Sequence, residues 1–190
     1  MVPYPQLPGD AVARRVRTDD VAGLAELVAQ THRVTRGRGS PDADAVRAIA
    51  VGIGSWTRHQ LVVTGRDDGE IRAWASAHDR AAGRTDLVLH LDRSLEGADA
   101  LAIALLDWLE QIAVGIARSR DLRSTRLEIV VDSGDAALQG WLGRHGHACV
   151  RTWLNMSRPV EAEARLPVRD GVDVRRVRVH DLGDDRRGGG

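Results

Sequence analysis

The stretch from Asp86 to Arg118 constrains this chain more than any other part of it. Leu87-Val88-Leu89-His90-Leu91 is a short run of branched apolar residues, long enough for one buried strand. Asp92-Arg93-Ser94-Leu95-Glu96-Gly97 is charged, small or Gly and does not continue it. From Ala98 to Ala117 the apolar residues Leu101, Leu105, Trp108, Leu109, Ile112 and Ile116 recur at helical spacing, with Ala at most other positions. A strand that turns tightly into a helix offers the helix's free N–H groups and positive dipole end as an anion site. A plain core helix after a core strand accounts for the same residues, so spacing alone leaves both readings open.

The segments on either side decide the fold class. Ala11–Arg17 reads as a short strand, and Thr18 caps a helix marked by Val21, Leu24, Ala25 and Val28. Thr31–Gly39, rich in Arg and Gly, reads as a loop. Ser40-Pro41 opens a second helix with Val46, Ile49, Ala50 and Ile53 on one face. Three strands follow with no helix between them. They are Gln60–Thr64, the alternating Ile71–Ala77, and Leu87–Leu91, the first two joined by a hairpin at Asp68-Gly69. After the long helix come a strand over Leu127–Val131, a short helix over Ala136–His145 capped by Asp132–Asp135, and a strand over Val150–Met156. Antiparallel strands followed by a βαβ-like half predict an α+β fold with a mixed, mainly antiparallel sheet flanked by helices.

Composition narrows the function classes. Net charge over the 190 residues is zero, which argues against nucleic acid as a partner. Every basic residue among the 27 is Arg, so no mechanism that needs a catalytic lysine is available. The single cysteine, Cys149, forms no internal disulfide and reads as a buried, inert thiol in a reducing compartment. No signal pattern opens the chain, and the long helix carries Asp99, Asp107 and Glu110, which argues against a membrane span. These features predict a cytoplasmic protein. His145-Gly146-His147 lacks further ligands at convincing spacing, so no metal site is assigned. Glu70 and Glu128 are the strand-borne carboxylates to consider as a base, although paired edge residues explain them as well.

The order of elements resembles the GCN5-related N-acetyltransferase (GNAT) superfamily over roughly residues 12–160. The most specific part is Leu127–Asp132, the capped helix, Gly146-His147, and Cys149–Met156 with its Met near the end. The resemblance implies acetyl-CoA as acyl donor and an amine of a small molecule as acceptor. It also implies that the backbone of Leu89, His90 and Leu91 pairs with the pantetheine arm. The family's phosphate loop, Gln/Arg-x-x-Gly-x-Gly/Ala, falls on Gly97, Ala98, Asp99, Ala100, Leu101 and Ala102. Gly97 stands where the family has Arg or Gln, and Ala100 where it has Gly. Arg93 is a substitute source of positive charge. The position of the family's general-acid Tyr is Leu142, next to Trp141, and its Gly-Phe is Gly146-His147. No catalytic residue is therefore assigned, and the expected cofactor-binding residues are Leu89, His90, Leu91, Gly97, Ala98, Ala100 and Ala102.

Two functions remain open on these residues: an acetyltransferase domain, or a degenerate module that supports a partner domain with or without CoA. Gly171–Arg178 looks like the beginning of a second GNAT domain, as in mycothiol-synthase-like tandem chains. The expected division is a Pro-rich leader at 1–10, a GNAT-like domain at 11–160, a linker at 161–171 and a truncated, disordered second domain at 172–190.

Overall fold

The computed structural model describes residues 2–80 and 83–154, with 156, 158, 159 and 171. It divides into two units, Met1–Val150 and Arg151–Gly190. The first unit is built on one mixed sheet. Its strands are β1 (Ala11–Arg14), β2 (Arg58–Gly65), β3 (Ile71–Asp79), β4 (Arg84–Leu91) and β5 (Arg126–Ile129), and they lie side by side in chain order. Pairing is antiparallel throughout except between β4 and β5, which are parallel. The hairpin between β2 and β3 turns at Gly69, whose φ of 68° is left-handed and favours glycine.

Period-2 alternation sends each strand's apolar residues to two different helical layers. Leu61, Val63, Ala73, Ala75, Ala77, Leu87, Leu89 and Leu91 meet α3 (Ala98–Ser119), which supplies Leu101, Leu105, Trp108, Leu109 and Ile112 to the same core. The alanines of β3 leave room for the larger residues of α3 to sit close against the sheet. α3 is long and apolar enough by composition to cross a membrane, yet here its apolar stripe is buried on the sheet. On the other face, α1 (Val21–Arg36) and α2 (Ala43–Ala50) cover Val62 and Trp74 with Leu24, Leu27, Val46 and Ala50. α4 (Ala136–Arg144) adds Leu138, Trp141 and Leu142 to the α3 side.

Several boundaries differ from the sequence reading. α1 continues through Thr31–Arg36, because Thr31 bonds back to the Leu27 carbonyl and the helix ends on left-handed Gly37. Thr18–Asp20 forms a separate 3-10 turn, held by Asp20, which accepts the Arg17 N–H at 2.7 Å and a bidentate pair from Arg14. α2 starts after Asp42, which caps Ala45, and not at Ser40. The strand expected over Val150–Met156 is not formed: residues 148–154 and 156 carry no strand pairing, and Val150 is exposed. An alternating pattern needs an edge to pair with, and β5 ends at Ile129, a strand of only 4 residues. Cys149 is exposed, not buried, since it lies on this irregular segment. Leader residues Val2 and Leu7 pack against the α3 core, and the Pro3 carbonyl accepts the Trp108 indole N–H at 3.1 Å. In the second unit, the Arg151 guanidinium lies 5.2 Å from the Trp153 ring centroid. The expected linker at 161–170 and the strand-like run 172–179 lie outside the described residues.

Candidate functional site

The register between β4 and β5 runs from Arg84↔Arg126 to Leu87↔Ile129 and stops there, while β4 continues to Leu91. Beyond Leu87, β4 runs on past the end of β5 at Ile129 and has no strand beside it on that edge among the described residues. Residues of β4 alternate the direction of their backbone groups, and Asp92 donates back to Arg72 on β3 at 2.8 Å. Leu89 and Leu91 therefore present their main-chain groups toward the opening. Their side chains are buried on the α3 side, whereas the His90 ring lies on the α1 side, stacked on Trp74 with centroids 5.8 Å apart. Burial pushes the His90 imidazole down to about 4, with His32 and Arg93 adding positive charge nearby. Its Nδ1 is sealed from solvent with no partner.

The turn out of β4 leads to the N-terminus of α3. Gly97 caps that helix at φ 77°, a left-handed conformation, and a Cβ placed there would meet nothing within 4 Å. The Ala98 N–H is used by the Leu95 carbonyl and the Leu101 N–H by Gly97, which leaves the Asp99 and Ala100 amides as the spare donors of the first turn. Gly97 and Ala100 are exposed there, but Ala98 and Ala102 are buried in the core. Of the expected residues, then, the fold brings Gly97 and Ala100 to the open end of the helix. It sets Leu89 and Leu91 on the opening and turns Ala102 inward.

Sequence reasoning did not find the side chains that cross this opening. Arg93 does not reach the α3 N-terminus. Its guanidinium forms a forked ion pair with Asp135, which is only 4% exposed, and donates to the Leu91 carbonyl at 3.1 Å. Asp135 also caps α4 by accepting the Leu138 N–H at 3.1 Å. Nearby, Asp132 takes hydrogen bonds from Thr35 and Arg36 of α1, which lowers its carboxyl below the ordinary range. The caps were legible as a helix start, but their reach back to β4 and α1 was not.

α4 meets the first turn of α3 directly. Asp99 accepts the Trp141 indole N–H at 2.6 Å and an Arg144 N–H at 3.2 Å. Leu142, at the position aligned with a general acid, is buried in the core. His145 bonds Asp107 at 2.8 Å, and no metal-holding group of His, Cys, Asp and Glu occurs among the described residues. Glu70 and Glu128 are tied up by Arg72 and Arg126, at 3.3 and 2.5 Å.

No family model matches the sequence, and no curated protein matches it. Solved structures do match. A GCN5-related N-acetyltransferase from Sphaerobacter thermophilus superposes with a TM-score of 0.58 at 17% identity, over 74% of this chain and 44% of that one. This chain thus spans less than half of that protein. The GNAT domain of PAT from S. lividans gives 0.58 at 18% identity, over 77% and 86%. The putative acetyltransferase yncA from Salmonella typhimurium, solved with acetyl-CoA, gives 0.55 at 17%, over 73% and 79%. This chain has the GNAT fold.

Within the GNAT fold, Gly97 opens α3 after the turn that leaves β4, Asp99 stands in the first turn of that helix, and Leu142 is buried on α4.

Proposed function

We propose that this chain is an acyltransferase domain that draws an acetyl group from acetyl-CoA and passes it to the amine of a small molecule. The observation that carries this reading is the early end of the β4–β5 register at Leu87↔Ile129, with an open helix N-terminus at the far end of the same gap. A pantetheine arm offers amide groups that suit the strand edge at Leu89 and Leu91, and a pyrophosphate suits the spare amides of Asp99 and Ala100. Gly97 leaves space for its approach, and the exposed Ala100 methyl narrows it. The yncA structure was solved with acetyl-CoA, which favours the same donor here.

In the transfer, the amine nitrogen attacks the thioester carbonyl, the C–S bond breaks as the C–N bond forms, and the proton lost by nitrogen ends on the CoA sulfur. The chain's part is to hold the two reactants in line and exclude water. A protein with a single thiol and α3 buried against its sheet suits the cytoplasm.

A second reading is favoured by a specific feature. The Arg93–Asp135 pair spans the gap, and Asp99 puts a negative charge where phosphates would lie. A support module that has lost transfer would tolerate both. Calorimetric titration of acetyl-CoA into the purified chain separates them, followed by a thiol-release assay with amines. Binding with release of CoA supports the transferase. The absence of binding rejects it and leaves the support module.

A further inference from the structure

The β4–β5 gap has two walls, and α1 touches both of them. On the β4 wall, Arg93 donates to the Thr31 hydroxyl at 3.4 Å. On the wall that follows β5, Asp132 accepts the Thr35 hydroxyl at 3.1 Å and the Arg36 Nε–H at 2.7 Å. Gly134 lies so near the Thr35 carbonyl that a Cβ there would collide with the oxygen. Residues 31–36 therefore cross the gap on the face of the sheet opposite α3. The imidazoles of His32 and His90 lie along this crossing: the charges of Arg36 and Asp132 bear on His32, and His32 bears on His90. A molecule that approaches the gap from this face meets the last turn of α1 first.

That turn is held differently from the rest of the helix. Leu24, Ala25, Leu27, Ala29 and Thr31 are buried, whereas no residue of α1 after Thr31 is. Val34, the apolar side chain of the turn, is 64% exposed. A helix end without buried apolar contacts frays unless polar contacts hold it. Here the hydrogen bonds of Thr35 and Arg36 to the facing wall converge on one carboxylate, while Arg33 turns away to Glu26 of the same helix. The Arg36 guanidinium holds the Asp132 carboxyl below its ordinary range, so the latch is charged at neutral pH. Opening the turn breaks these few bonds and exposes no core, which makes it the cheapest part of the site's walls to move.

We infer that the last turn of α1, residues 32–36, is a lid over the β4–β5 gap, latched by Asp132, and that the acyl acceptor enters when the latch opens. The word acceptor rests on the proposed transferase reading; the lid does not. With the pyrophosphate at the first turn of α3, the face beneath α1 is the one left to the amine. A closed lid keeps water from the gap, and the acceptor binds the fraction of molecules in which the lid is open. Asp132 is a positioning residue and touches no reacting atom.

Asp132→Asn and Arg36→Gln each remove the charge from one half of the latch, and a thermal melt of each shows that it folds. Hydrogen exchange at the amides of residues 33–37 is expected to quicken about threefold to tenfold in both, with β3 and β4 unchanged. His90 gives a second readout that needs no substrate. Diethyl pyrocarbonate modifies unprotonated imidazoles, and its rate at His90, followed by mass spectrometry at pH 7, should rise by a similar factor relative to the exposed His59. In acetyl-CoA turnover with a set of primary amines, both variants should lower KM for the amine about twofold or more and leave acetyl-CoA affinity within about twofold. Unchanged exchange or unchanged His90 reactivity in both folded variants overturns the lid. Faster exchange and His90 modification with KM unaltered for every amine overturns its part in acceptor entry. If acetyl-CoA does not bind, or no amine is used, the transferase reading falls, and exchange with His90 reactivity still decides whether the turn is a lid.

Discussion

The Trp141 indole N–H donates to the Asp99 carboxylate at 2.6 Å and so ties α4 to the first turn of α3. Arg144 joins the same carboxylate from one turn further along α4. This contact stands at the end of the β4–β5 gap where the pyrophosphate is proposed to lie. The acid that would repel a phosphate is thus already held by donors from the opposite wall.

Replacing Asp99 with Asn removes that charge and keeps an acceptor oxygen for Trp141. Acetyl-CoA is expected to bind several-fold more tightly, by roughly threefold to tenfold at low salt, with the gain shrinking as salt is added. Calorimetry at two ionic strengths measures it. Unchanged affinity at both would separate Asp99 from the phosphate site.

Ala100→Gly takes an exposed methyl away from the spare amides of the first turn. Tighter acetyl-CoA binding is expected, at a helix cost of about 1 kcal/mol. Titration and a urea melt report the two effects separately. Weaker binding, or none by either protein, would favour the support module.

Arg93 and Asp135 are 15% and 4% exposed at their side chains, a nearly buried pair that also caps α4. Asp135→Ala leaves the guanidinium uncompensated and the Leu138 amide uncapped. The loss of stability should be about 3 to 5 kcal/mol, read as a fall in the urea midpoint. A change under about 1 kcal/mol would show that the bridge does not hold β4 to α4.

The pH dependence of stability should carry the signature of His90. Its folded value, pushed down by burial to about 4, lies below the value near 6.5 of an unfolded chain. Between those limits the unfolded chain binds the extra proton. Stability is therefore fully present above pH 6.5 and declines as pH falls toward 4, by up to about 3 kcal/mol from this residue. His32, His78 and His147 are shifted the same way and add to the slope. His90→Phe keeps the stack on Trp74 and should flatten the loss between pH 6.5 and 4 in urea titrations. An identical slope in the variant would remove His90 from the account.

Local pattern was enough for the β2–β3–β4 meander and for α3, because the alternation at Ile71–Ala77 and the spacing from Leu101 to Ile116 encode which face is buried. It misled at Val150–Met156, where alternation describes a willing strand but not the presence of a partner edge. It was silent on Arg93–Asp135 and Trp141–Asp99, since each joins residues 42 apart in sequence and only the packing of α4 beside α3 brings them together.

The sheet's strands follow one another in chain order, and that order bears on how the molecule assembles. β2, β3 and β4 are joined by connections of only a few residues, so their pairing closes small loops and carries little entropic penalty. β1 reaches β2 only after α1 and α2, and β5 reaches β4 only after α3. The three-strand meander is accordingly expected to form early, with both outer strands joining late. Because the gap borders β5, the last strand to settle on that side is the one that shapes the mouth of the proposed site. Pulse-labelled hydrogen exchange during refolding would place Ala75 and Leu87 ahead of Val12 and Leu127, and through the same delay a ligand in the gap could act on folding as well as on the folded state.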